Sequence, residues 1–157
     1  MRSLLTTACL LTALLAPLAA SAQTTVKDGW VRGTVAQQKA TGAFLQITSA
    51  QGGRLVSAAS PVAGVVEIHE MKMEGNVMRM AAVPFLELPA GKAVELKPGG
   101  FHIMLMALKQ ALPAGQDVPL TLVVESGGRQ ETLQLSLPVR PLGAAAAPAG
   151  GNAHHGH

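Results

Sequence analysis

This 157-residue chain has one cysteine, one tryptophan, three phenylalanines and no tyrosine, and only 13% of its residues are charged. The single cysteine, Cys9, lies in the N-terminal apolar run, so the remainder of the chain has neither a disulfide nor a thiolate and must hold together by packing alone. Scattered charges and few aromatic residues exclude a nucleic-acid partner, which would need a basic patch and stacking rings. The chain also lacks a compact Ser/His/Asp set, paired carboxylates at revealing spacing and a phosphate-binding glycine loop. No enzymatic chemistry is therefore expected. No segment keeps a helical period for three turns, which leaves strands as the building material.

The first residues have the form of an export signal: Arg2 as the positive start, Leu4 to Ala20 as the apolar run, and Ala20-Ser21-Ala22 as a small-residue cleavage site. Residues 1–22 are therefore expected to be removed after Ala22, giving a periplasmic protein with no membrane span in the mature chain. A lipoprotein would need a cysteine at the processing site, and Cys9 comes too early. Residues 23–140 suffice for one domain. From Pro141 the composition turns to Gly, Ala and Pro and ends in Asn152-Ala153-His154-His155-Gly156-His157, so residues 141–157 form an expected tail with nothing to bury.

Between these ends, short alternating segments separated by turn signals predict an all-β sandwich or barrel. Nine strands are expected, near Thr25–Val31, Gly42–Thr48, Arg54–Ala59, Val65–Lys72, Val77–Val83, Ala93–Lys97, Phe101–Ala107, Val118–Ser126 and Gln130–Leu137. Turns such as Glu74-Gly75-Asn76 and Pro98-Gly99-Gly100 supply the φ values that chain reversals need.

What is abundant is methionine, and it is segregated. Every methionine except the initiator lies between Met71 and Met106, and His69 and His102 are the only histidines outside the tail. Imidazole and thioether are soft neutral donors, and a set of them without carboxylates favours Cu(I) over magnesium, calcium or manganese. Methionine also fills gaps in cores, and any one of these residues alone reads more readily as packing. Strand parity argues for the set. Residues two apart share a face, which puts His102, Met104 and Met106 on one side of their strand and Phe101, Ile103 and Leu105 on the core side. His69 and Met71 likewise stand together, opposite Val66, Ile68 and Glu70.

The hairpin register decides whether Met80 joins them. With Glu74 and Gly75 central in the turn, His69 lies opposite Met80 and Met71 opposite Met78. With Gly75 and Asn76 central, Met71 faces Met80 and His69 shifts to Ala82. Either even-numbered loop keeps His69 and Met80 on one face. The primary metal candidates are therefore His69, Met80, His102 and Met104. Secondary candidates are Met71, Met78 and Met106, and in the tail His154, His155 and His157, which suit Cu(II).

At these residues the chain resembles the periplasmic copper chaperone family that serves the binuclear copper centre of cytochrome c oxidase. Its motif, H-(M)-x10-M-x21-H-x-M, is met at His69, Met80, His102 and Met104, and segments such as Gly75-Asn76-Val77-Met78-Arg79-Met80 and Lys97-Pro98-Gly99-Gly100-Phe101-His102-Ile103-Met104 are similar to the family. The bracketed methionine position is here Glu70, with Met71 one place later. The resemblance implies a cupredoxin-like Greek-key β-sandwich that binds one Cu(I) at a fairly exposed site. It also implies that the ion is passed to a partner, expected to be the copper-bearing subunit of a cytochrome c oxidase or another copper chaperone, and the chain is expected to be a monomer. The alternative is copper sequestration or resistance without a dedicated recipient. Blue-copper electron transfer is excluded, because those sites use a cysteine thiolate.

Overall fold

The computed structural model describes residues 23–143. Ten strands follow one another: β1 (Thr24–Arg32), β2 (Ala40–Ser49), β3 (Gly53–Ala59), β4 (Ala63–Glu74), β5 (Val77–Ala82), β6 (Leu86–Leu88), β7 (Ala93–Leu96), β8 (Phe101–Leu108), β9 (Asp117–Ser126) and β10 (Arg129–Arg140). Nine of them correspond to the expected strands. The tenth, β6, is three residues set between Pro84 and Pro89, too short to show a period. Among the described residues there is no helix long and apolar enough to cross a membrane.

The strands form a Greek-key β-sandwich. One sheet runs β5-β4-β8-β2-β1, and the other runs β10-β9-β3-β6. They join where the end of β1 pairs in parallel with β10, Val31 against Val139 and Arg32 against Arg140. The core lies between the layers and follows from alternation. In β9 the buried residues are Val118, Leu120, Leu122 and Val124, every second position, and they meet Ala43, Leu45 and Ile47 of β2 and Ile103 and Leu105 of β8. Burial of these side chains supplies the stabilisation that a chain without cross-links requires.

Two features of the first sheet position the site. β2 changes partner along its length: Ala40 to Ala43 pair with β8, whereas Leu45 to Thr48 pair with β7. The turn from β7 into β8, with Gly99 at φ 86°, occupies the switch and brings the start of β8 beside Phe44. The second feature is the β4–β5 hairpin. Glu74 pairs with Val77, so Gly75 and Asn76 are the central turn residues. Gly75 has φ 62° and Asn76 does not, the sign pattern of a type II′ turn, which matches the twist of paired strands. Met71 therefore faces Met80, and His69 faces Ala82.

Candidate metal centre

The core alternation of β8 leaves His102, Met104 and Met106 on the outer face of the sheet. On that face β8 lies between β4 and β2: His69 is directly opposite His102, Glu67 opposite Met104, and Gly42 opposite Met104 from the other side. Four rings cross the sheet in a row, with centroid separations of 4.7 Å for Trp30–Phe44, 6.3 Å for Phe44–His102 and 5.8 Å for His69–His102. Trp30 and Phe44 are buried, and with them His102, which is only 6% exposed.

The hydrogen bonds fix which nitrogen of each histidine is free. A carbonyl can only accept, so the ring nitrogen of His102 that meets it, Nδ1 at 3.0 Å from the Gly100 oxygen, carries the proton. Its Nε2 then presents a lone pair, and that atom lies 3.0 Å from the sulfur of Met80. His69 Nε2 lies 2.8 Å from a Glu67 carboxylate oxygen and donates to it. The other nitrogen, His69 Nδ1, is buried and has no hydrogen-bond partner. In its neutral form each ring thus has one N–H held by an oxygen and one free nitrogen. Ligating histidines have this arrangement, because the held N–H sets tautomer and ring orientation. An orphaned buried nitrogen and two lone-pair donors facing each other are both costly unless a cation joins them.

Burial lowers the His102 pKa from its usual 6.5. The Gly100 hydrogen bond opposes this shift, while nearby His69 and Arg32 add smaller contributions in the same direction as burial. The ring is therefore kept neutral, the form that binds metal.

A cavity of about 310 Å³ opens beside these groups, and Met71, Met80, His102 and Met104 contribute to its wall together with Gly42 and Phe44. His69 does not line it and sits one strand away beside His102. Met80 is 49% exposed, so the assembly has an open side and a buried side. Met80 is open to solvent, whereas His102 is covered because β2 lays Phe44 beside the ring and β1 backs Phe44 with Trp30. Among the described residues no group of three or more His, Cys, Asp or Glu side chains could hold a metal ion, so any site here depends on thioethers.

Of the secondary candidates, Met71 stands on the cavity wall directly opposite Met80, a more central place than its sequence position alone indicated. Met78 is one rung further out on the hairpin. Met106 is half-buried on the same face, between Ala40 and Val65, and does not line the cavity. His154, His155 and His157 lie outside the described residues. Glu67, Gly100 and Arg32 were not anticipated. Glu67 carried a signal, since it shares strand parity with His69. Arg32, 5.2 Å from the Phe44 ring centre, comes from a strand whose pairing no local pattern reveals.

Residues 24–139 match the family described as "Putative lipoprotein LpqE-like". The chain belongs to this family. It is 37% identical over 135 residues to "Putative lipoprotein Lxx21020" of Leifsonia xyli subsp. xyli (strain CTCB07), an alignment covering 78% of each chain. Among solved structures it is similar to apo DR1885 from Deinococcus radiodurans, with 28% identity and TM-score 0.56 over 89% of this chain and 95% of that one. The Cu(I) form of DR1885 matches with 29% identity and TM-score 0.60 over 80% and 83% of the two chains. The apo PmoF2 PCuAC domain has the same fold at 19% identity and TM-score 0.62, covering 80% of this chain and 95% of that one.

Proposed function

We propose that this protein is an exported copper carrier that binds one Cu(I) through His69, Met80, His102 and Met104 and delivers it to a copper-bearing subunit of cytochrome c oxidase or to another copper chaperone. The observation that carries the reading is the pairing of His102 Nε2 with the Met80 sulfur at 3.0 Å, with Nδ1 tied to the Gly100 carbonyl. Two soft donors meet there without a proton between them, on the wall of a cavity that also receives Met104. Four neutral ligands suit a monovalent soft ion and compensate a divalent one poorly. The likeness to DR1885, solved with Cu(I), supports the same cargo for this chain.

A carrier must also release its ion. The exposed Met80 gives a recipient's ligands a side from which to attack, while the buried His102 holds the ion until they arrive. Exchange of this kind changes no oxidation state and calls for no catalytic group. The family's lipoprotein name supports export. For this chain we propose cleavage after Ala22 to a periplasmic form without a lipid anchor, which the mass of the mature N-terminus tests directly. We further propose that His154, His155 and His157 recruit Cu(II), in which case truncation at Pro141 removes a second, weaker site.

The decisive experiment is anaerobic transfer. Cu(I)-loaded protein is mixed with the copper-accepting domain of the oxidase subunit, and the two are separated and assayed for metal. Stoichiometric transfer is expected, with loading lost in His102→Ala and Met104→Leu. Retention of copper in the presence of every such acceptor would leave sequestration as the function.

A further inference from the structure

The β4–β5 hairpin carries more thioethers than the inner site uses. Met73 faces Met78 one pair in from the turn, and the next rung on the same face is Met71 opposite Met80. Packing does not account for the outer pair. Met73 is 64% exposed and Met78 47%, on a hairpin whose outer strand is exposed along its whole length. The other face of the hairpin carries the charges, where Lys72 pairs with Glu70 at 3.0 Å and Arg79 with Glu74 at 2.9 Å. The hairpin therefore presents a charged face and a face of four sulfurs, and the sulfur face leads inward to His102.

We propose that Met73 and Met78 form an outer, weaker Cu(I) site from which the ion passes to Met71 and Met80 and then to His102 and Met104. This rests on the reading of the inner site given above. Directly opposite residues on paired strands have Cβ atoms about 4.5–5.5 Å apart, and methionine has three rotatable bonds beyond the backbone, so both sulfurs can reach one ion. Successive rungs on one face are two residues apart, about 7 Å at the usual rise, a distance the flexible side chains of adjacent rungs can bridge. Each step exchanges one thioether for another on a monovalent ion. No electron or proton moves. With two neutral donors and no imidazole the outer site is weaker than the inner one and insensitive to pH where histidines titrate.

The test uses protein labelled with ¹³C at its methionine methyl groups and titrated with Ag(I), a redox-inert soft cation standing in for Cu(I), followed by NMR. The first equivalent should shift the methyls of Met80 and Met104, and the second those of Met73 and Met78, with the Met73 and Met78 shifts unchanged as the pH is lowered to about 5, since thioethers carry no proton. The double variant Met73→Leu, Met78→Leu should bind one equivalent only, at unaltered affinity, and should take up Cu(I) from a chelated donor several-fold more slowly. Met73 and Met78 methyls that stay still through several equivalents while the inner site fills would overturn the outer site alone. A first equivalent that leaves Met80 and Met104 unmoved would overturn the inner-site reading, and the relay with it.

Discussion

Glu67 offers the sharpest perturbation because it is not itself a metal candidate and holds one, His69, by a hydrogen bond. Its carboxylate accepts from His69 Nε2 at 2.8 Å and thereby leaves Nδ1 as the free nitrogen. Loss of such a partner from a ligating histidine costs 10–100-fold in metal affinity, about 1.4 to 2.7 kcal/mol. The Glu67 side chain is 44% exposed, so water replaces it in part, and the lower end of the range applies. Glu67→Ala should therefore weaken Cu(I) binding roughly tenfold. Glu67→Gln, whose amide oxygen can still accept the N–H, should lose only a few-fold. Competition against a chromophoric Cu(I) chelator under anaerobic conditions measures both. Unchanged affinity in Glu67→Ala, beside a large loss in His69→Ala, would show that His69 binds without this support and would refute the reasoning.

Three further expectations follow from the same geometry. His102 has a folded pKa below its unfolded value, so the unfolded chain binds more protons just below pH 6.5, and the stability of the metal-free protein should fall as pH drops through that window. Urea midpoints at successive pH values check this, and the His102 contribution should vanish in His102→Gln. Stability that rose on acidification would contradict it. A Cβ on Gly42 would stand 2.8 Å from the Phe44 ring, so Gly42→Ala should displace the ring that covers His102 and cost about 1–3 kcal/mol by chemical denaturation. Leu105→Ala, at a fully buried position, should cost about 2–5 kcal/mol while sparing copper affinity, and its neighbour Met104→Leu should cost under about 1.5 kcal/mol while abolishing tight binding.

That last contrast rests on parity, and parity is what the amino-acid order carried most reliably. Ile103 and Leu105 turn inward and His102 and Met104 outward because strands alternate, a local property. The hairpin was legible to within one choice. Gly75 could serve in either even-numbered loop, and the pairing of Glu74 with Val77 makes it the first of the two central residues, which sets Met71 rather than His69 against Met80. Strand β6 went unnoticed because Leu86 and Leu88 make a single alternation between prolines. The burial of His102 was out of reach for a different reason. It depends on β2 lying beside β8 and β1 beside β2, and long-range pairing of that kind leaves no periodic trace in Trp30 or Phe44. Glu67 was not singled out, although its parity with His69 was visible in the order of residues.

The account stands on soft neutral donors gathered on one copper ion, and X-ray absorption at the copper edge of protein loaded with a single equivalent of Cu(I) examines that most directly. Two nitrogen and two sulfur neighbours are expected, with one sulfur lost in Met80→Leu and one nitrogen lost in His102→Ala. A coordination shell without sulfur, or one unchanged by either substitution, would contradict it.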